Sequence, residues 1–326
     1  MPVLRRWIQI VATALSNAYW MFPHTKGIYP GTLKSICVPG LNCYSCPAAT
    51  GACPLGSLQS IIAGLRPAVK AGHYHFGTYI IGTLGLIGSL VGRMPCGWLC
   101  PFGLLQELIF KIPSRKFKIP KFLTCFKYLF LALFIFILPA LIVDNYGYGM
   151  TWFCRFICPA GTLEAGIPML ILKPELREII GMLFYSKLTI LIILVVWMVI
   201  SSRPFCRVVC PLGAIYSLFN KHSAFRMIHD PDKCTHCQEC YNNCPMGIKF
   251  YEGSNQHDCI RCLKCLNESC RFGAISYEIA GMPVIKPVEP PILPVNTPFS
   301  CPNSSLSKTE HRVLIIKNIG IRNSDV

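Results

Sequence analysis

The stretch Cys96-Gly97-Trp98-Leu99-Cys100-Pro101-Phe102-Gly103 decides how this chain is read, because its pattern, Cys-x3-Cys-Pro-x-Gly, occurs again elsewhere. It returns as Cys154-Arg155-Phe156-Ile157-Cys158-Pro159-Ala160-Gly161 and as Cys206-Arg207-Val208-Val209-Cys210-Pro211-Leu212-Gly213. The shorter phrase Cys53-Pro54-Leu55-Gly56 lies upstream, Cys244-Pro245-Met246-Gly247 closes a later cysteine string, and Cys270-Arg271-Phe272-Gly273 is an imperfect copy. Proline after the last cysteine has a fixed φ and no amide donor, so it turns the chain and suits the first position of a helix. Glycine permits close approach of the backbone to a bulky group. A helix starting there, as at Leu104 to Leu108, aims its amides and positive end at an anionic centre. Each cysteine pair presents two sulfurs to one side, and two pairs on neighbouring helix ends complete the four-thiolate set of a [4Fe–4S] cluster. Cys96, Cys100, Cys206 and Cys210 are therefore expected to share one cluster.

Composition narrows the class. With 52% hydrophobic and 14% charged residues among 326, the chain is too apolar for an ordinary soluble domain of its length and reads as a membrane protein. Its 20 cysteines fall mostly in short regular spacings, which point to metal ligation instead of a small disulfide scaffold. Residues 7–22, 74–92, 122–143 and 183–201 are expected to span the bilayer, which takes about 20 apolar residues. The first carries Gln9 and Asn17 and lacks the small-residue cleavage site of a signal peptide. The second holds Gly77, Gly82, Gly85, Gly88 and Gly92, a spacing that lets another helix come close.

Basic residues orient these spans. Arg5, Arg6, Arg93, Lys111, Arg115, Lys116, Lys118, Lys121, Arg203, Arg207 and Lys221 crowd one set of connections, and the positive-inside rule places that set and both termini in the cytoplasm. The net charge of +16 thus sits mostly at membrane edges, and no recognition fold accompanies it, which argues against nucleic acid as a partner. Cys96, Cys100, Cys206 and Cys210 fall on the inner face. Cys154 and Cys158 fall on the outer face, together with Cys43, Cys46 and Cys53, and each half reads span, outer cysteines, span, inner cysteines, as a parallel internal duplication does. An outer cluster would take Cys154, Cys158 and two of Cys43, Cys46 and Cys53, whereas thiols facing an oxidising space can also pair as disulfides. A hydrocarbon core about 30 Å thick is wide for one electron hop, so the face clusters must sink inward or a carrier must bridge them.

The soluble part follows. Cys234-x2-Cys237-x2-Cys240-x3-Cys244-Pro is the bacterial ferredoxin run, and Cys259-x2-Cys262-x2-Cys265-x4-Cys270 is its partner, with one extra residue and Arg271 where proline is usual. The fourth cysteine of each run serves the other cluster in such pairs. One site is therefore expected to be Cys234, Cys237, Cys240 and Cys270, and the second Cys259, Cys262, Cys265 and Cys244. A zinc ribbon, built on two CxxC pairs, would leave four of these eight unexplained.

The expected architecture is an all-α four-helix transmembrane bundle of two parallel repeats over residues 1–222. A small α+β two-cluster ferredoxin-like domain follows over 223–280, and a Pro-rich extended tail over 281–326. Taken with its cysteine pairs and ferredoxin run, the chain from Arg5-Arg6 to about Ile279 resembles the NapH/NosR-type membrane polyferredoxins. The resemblance implies electron transfer between a quinol or cytoplasmic donor and a redox partner, through Cys96, Cys100, Cys206, Cys210 and the eight ferredoxin cysteines. The chain departs in its richer outer loop, with Cys43-Tyr44-Ser45-Cys46-Pro47, and in lacking the flavin-bearing outer domain of the NosR type.

The functional expectation is a multi-pass protein of the cytoplasmic membrane holding three to four [4Fe–4S] clusters. It would contact lipid, redox subunits on the cytoplasmic side, and a quinone or extracytoplasmic redox protein. A redox maturation or regulatory factor for a respiratory metalloenzyme is the alternative. His73 and His75, flanking Tyr74 at the outer interface, are candidates for a quinone head or a haem, although interfacial histidine without a ligand is commoner. Trp98 and Phe153 are candidates to shield clusters from water, and Cys125 is read as a packing residue. No nucleophile, phosphate loop or paired acid catalyst stands out.

Overall fold

A computed structural model describes residues 2–72 and 77–284. The expectations on His73 and His75, and nearly all of those on the tail, lie outside the described residues. The principal helices are α1 (Pro2–Ser16), α2 (Pro54–Ala63), α3 (Thr78–Val91), α4 (Pro101–Ile109), α5 (Lys121–Leu141), α6 (Gly161–Leu172), α7 (Met182–Ile200) and α8 (Pro211–Phe219). Strands β1 (Phe225–His229), β2 (Ile275–Ile279) and β3 (Met282–Val284) form one antiparallel sheet in that order.

The Cys-Pro phrase dictates a recurring backbone. Cys53, Cys100, Cys158 and Cys210 are all extended, with ψ of 122°, 119°, 112° and 110°. The following proline ring disfavours a helical residue before it. Each proline then opens a helix, α2, α4 and α8 directly and α6 by way of Pro159. The turn before the second cysteine is closed in the same way in the three Cys-x3-Cys copies. Cys100 N–H donates to Pro95 O at 3.1 Å, Cys158 N–H to Phe153 O at 2.9 Å and Cys210 N–H to Phe205 O at 2.9 Å. Bonds reaching back five residues widen the turn beyond an α-helical one.

Among the described residues only α5 and α7, of 21 and 19 residues, are long and apolar enough to cross a membrane. The expected span 122–143 becomes α5, and 183–201 becomes α7. In place of 7–22 stands α1, which begins at Pro2 and stops at Ser16, five residues before Met21. Ser16 Oγ donates back to Ala12 O, Asn17 Nδ2 to Thr13 O, and Tyr19 N–H turns away to Ala48 O, so the helix has no continuation. In place of 74–92 stands α3, whose 14 residues reach about 21 Å at 1.5 Å per residue. Within α3, Gly88 receives the Phe219 ring of α8, while Gly82 and Gly85 face open space; at its ends Gly77 and Gly92 lie close to Ile61 and Asn220.

The polarity of α1 is inverted relative to a soluble helix. Arg5 and Gln9 are buried, whereas Trp7, Val11 and Leu15 are exposed. Outward apolar side chains also line α5 (Phe122, Leu129, Leu141) and α7 (Ile192, Ile193, Val196). Cys125, read as a packing residue, is exposed on this same α5 surface. Helix α5 contains a π-helical stretch, Leu131–Ile137, and the buried Gln59 of α2 donates to Phe134 O within it at 2.9 Å. Helix α8 packs against α2, α3 and α5, which places it at the centre of the assembly.

The sheet caps a small second core of Phe225, Met227, Phe250 and Ile275. It is tied to the helices by Ala224 N–H donating to Ser89 O at 2.8 Å, and by Asn220. The Asn220 side chain accepts from Arg93 N–H and donates to Gln256 O, His257 O and Cys259 O.

Candidate metal centres

The two copies of Arg-x2-Cys-x3-Cys-Pro build the first centre. Cys96, Cys100, Cys206 and Cys210 come from separate halves of the chain, yet they are buried together and act on one another electrostatically. Burial, and then the neighbouring thiols, push Cys100 up to about 12 and Cys210 higher than an ordinary thiol. Iron held by the four thiolates would supply positive charge at this buried site. Donors already face the sulfurs. Gln106 Nε2 donates to Cys206 Sγ at 2.9 Å, Leu41 N–H to Cys100 Sγ at 3.4 Å and Gly213 N–H to Cys210 Sγ at 3.4 Å.

Two arginines cross between the halves. Arg93, three residues before Cys96, donates through Nη2 to Cys206 O, and Arg203, three residues before Cys206, donates through Nη1 to Cys96 O at 2.7 Å. Both are fully buried. The glycines of the Cys-Pro-x-Gly phrase make room for them: a Cβ on Gly213 would stand 2.7 Å from Arg93 Nη2, and one on Gly103 would stand 3.4 Å from Arg203 Nη1. Each arginine also has an acid. Arg203 and Arg5 share Glu107 at 2.7 and 2.6 Å, while Arg93 and Lys127 share Asp258. Against the opposing effect of burial, the Arg203 and Arg5 guanidinium groups hold Glu107 down to about 2.

The second centre is a cavity of about 620 Å³ lined by Cys43, Cys53, Cys154 and Cys158. Each element that delivers a cysteine is tethered. Gln59 Oε1 accepts from Cys154 N–H, Glu164 Oε2 accepts from Cys43 N–H at 2.7 Å, and Lys187 Nζ donates to Cys154 O at 3.2 Å. The phrase glycines again face the opposite half, Gly56 toward Cys154 Sγ and Gly161 toward Cys43 Sγ, both at 3.8 Å from a Cβ. Burial pushes Cys43 and Cys158 up to about 12 and Glu164 up to about 7. Of the three loop cysteines, Cys43 and Cys53 join the cavity. Cys46 lies off it, with its thiol on Asn17 Oδ1 at 3.8 Å. All 19 described cysteines are free thiols.

Two further cavities lie against the sheet. One is lined by Cys234, Cys237, Cys240 and Cys270, and the other by Cys244, Cys259, Cys262 and Cys265. Cys240 lines both. The second run ends as the Cys-x3-Cys pairs do, with Cys270 N–H donating to Cys265 O at 2.8 Å, so its extra residue is absorbed in a widened turn.

The four sites form a series. Gly97, next to Cys96, lies so close to Ile260, next to Cys259, that a Cβ would stand 2.6 Å from the Ile260 carbonyl oxygen. Trp98 Nε1 donates to Arg261 O at 3.0 Å, which makes it a clasp between the two sites, and Phe153 is buried in the core. On the other side Leu41 N–H touches Cys100 Sγ, and Cys43 follows two residues later, within about 7 Å of chain. The loop that carries Cys43 therefore packs directly against the quartet of Cys96, Cys100, Cys206 and Cys210.

The 4Fe-4S binding domain family matches residues 75–120, 128–168 and 183–227, and a second family of the same description matches 227–249. A protein of Methanocaldococcus jannaschii is 32% identical over 196 residues, covering 59% of this chain and 74% of that one. The ferredoxin-type protein NapH of Escherichia coli is 22% identical over 224 residues, 66% of this chain and 70% of that one. The regulatory protein NosR of Stutzerimonas stutzeri is 29% identical over 183 residues, 52% of this chain and 22% of its own. The chain belongs to the NapH/NosR-type polyferredoxin family. No solved structure matches it significantly. This polyferredoxin is an iron–sulfur electron-transfer protein that binds [4Fe–4S] clusters.

The crossed arginines and their acids are the functional residues that the cysteine spacing does not disclose. Their signal is present all the same, since Arg93 and Arg203 occupy equivalent places in the two copies.

Proposed function

We propose that this polyferredoxin is an integral membrane electron conduit. It would relay electrons between a cytoplasmic redox partner and a membrane quinone or extracytoplasmic acceptor through four [4Fe–4S] clusters. The ligand sets would be Cys234, Cys237, Cys240 and Cys270; Cys244, Cys259, Cys262 and Cys265; Cys96, Cys100, Cys206 and Cys210; and Cys43, Cys53, Cys154 and Cys158. The observation that carries this reading is the unbroken succession of sites, joined at Cys240, at the Gly97–Ile260 contact and at the Leu41–Cys100 contact. Clusters supply the redox chemistry, while the chain sets spacing and potential.

Four spans with both termini and the ferredoxin domain in the cytoplasm belong to this reading. The exposed apolar surfaces of α1, α3, α5 and α7 support it, and the shorter α1 and α3 would then cross only with their flanking residues. Anaerobic iron and acid-labile sulfide counting tests the conduit. About sixteen irons per chain is expected, about twelve removes one face site, and about eight confines iron to the ferredoxin domain. A second reading, a redox maturation or regulatory factor, draws support from the regulatory protein NosR among the relatives. Stable copurification with an oxidoreductase favours the conduit, and transient substoichiometric association favours the second reading.

A further inference from the structure

Tyr216 belongs to none of the four cysteine sites, yet it stands among them. It lies on α8, six residues after Cys210 and within the same buried cluster as the inner quartet. Its side chain is fully buried, and its hydroxyl has no hydrogen-bond partner among the described residues. Buried tyrosine hydroxyls usually find a partner, and one left unpaired costs about 1–3 kcal/mol. The charged groups that act on it are sulfurs: Cys96 most strongly, then Cys37, Cys100 and Cys53. The buried hydroxyl therefore feels cysteines of both sets, and an acceptor is what it lacks.

A [4Fe–4S] cluster in the inner quartet would bring acceptors to that spot, as its inorganic sulfides and thiolates accept hydrogen bonds. The other donors at this site, Gln106 Nε2 and the amides of Leu41 and Gly213, already face Cys206, Cys100 and Cys210. Cys96 takes a hydrogen bond from the Arg93 side chain, so the acceptors left for Tyr216 are the inorganic sulfides beside it. We propose that the Tyr216 hydroxyl donates a hydrogen bond to a sulfur of the inner cluster on its Cys96 side and raises that cluster's reduction potential. The proposal rests on the reading of Cys96, Cys100, Cys206 and Cys210 as one cluster. A donor to a cluster sulfur stabilises the more negative, reduced state, which is how hydrogen bonds set potential.

The test uses the full chain, purified anaerobically, with redox titration followed by electron paramagnetic resonance. Tyr216→Phe keeps the ring and removes the donor. It is expected to shift the inner cluster's oxidised-to-reduced ratio about tenfold toward oxidised, or ~59 mV downward for one electron. Iron content and the ferredoxin clusters should hold still. Replacing Tyr216 with 3-fluorotyrosine, a more acidic and nearly isosteric donor, should shift the same cluster upward. Should Tyr216→Phe fail to assemble, the fluorotyrosine protein decides alone. An inner cluster that is present with an unmoved potential in the assembled variants overturns the role of Tyr216 and leaves the conduit standing. A Cys96→Ser variant that retains all its iron overturns the inner cluster itself, and the proposal with it.

Discussion

The inner and outer cysteine quartets are made from the same repeated phrase but are supported differently. At the inner site two buried arginines cross between the halves, each answered by a carboxylate, and three donors face sulfur. At the outer site a cavity of about 620 Å³ separates the elements, and the supports are a single lysine, a glutamine and the half-buried Glu164. The local sequence thus sets the geometry of the cysteine turn, while residues outside it decide how rigid and how positive the surroundings are. Positive charge and donors near a cluster favour its reduced form, so of the two sites the inner one is expected to have the higher potential.

The comparison breaks most decisively through the ligands. Cys206→Ser is expected to remove about four irons per chain and abolish inner-site signals, and Cys154→Ser to remove about four from the outer site alone. Loss of both sets from either variant would show that the sites do not assemble independently. Cys43→Ser should behave like Cys154→Ser, whereas Cys46→Ser should keep its full iron content, which sharpens the choice among the loop cysteines.

The supports come next. Arg203→Met leaves Glu107 with one fewer cation and Cys96 O without its donor, and breaking a buried pair costs about 3–5 kcal/mol. Lys187→Met at the outer site removes one hydrogen bond worth about 1 kcal/mol. Thermal unfolding in detergent should rank the two variants in that order, and equal losses would erase the difference in rigidity.

Smaller still is Gly97→Ala, whose Cβ meets the Ile260 carbonyl. Overpacking of this kind costs about 1–3 kcal/mol. Rapid-mixing reduction should show the ferredoxin pair filling normally and the inner site filling more slowly. Unchanged inner-site kinetics would remove the Gly97–Ile260 contact from the electron route.

The weakest expected effect is with pH. Glu107 is depressed to about 2 in the folded protein, below its unfolded value near 4.3. Its contribution to stability is therefore fully present above that unfolded value and declines as pH falls toward 2. Unfolding midpoints between pH 6 and 3 should fall for the wild type and fall less for Glu107→Gln, which lacks the titrating pair.

Much of this site is legible in the sequence because cysteine spacing is a direct statement of ligand geometry. The cysteines of the two ferredoxin runs line two cavities, and Cys96, Cys100, Cys206 and Cys210 lie in one buried cluster across more than 100 residues of chain. The helix limits were less readable. Apolar composition marks residues 7–22, but Ser16 and Asn17 turn their side chains back on the last turn and end α1 early. The approach of the Cys43 loop to the inner quartet was hidden for another reason. It depends on Gly40 and Leu41 packing against Cys100, a contact between segments with no shared periodicity. The bulky group that the phrase glycines admit at the inner site is the opposite arginine.

The crossed arginines carry one more implication. A lone repeat would bury a guanidinium with no cysteine carbonyl to receive it, whereas two identical repeats facing each other across a two-fold axis would satisfy both at once. Reciprocal contact of that kind defines an isologous dimer. The helical part of this chain can thus be regarded as a tethered homodimer, in which neither protomer is complete when the linker is cut and its companion removed.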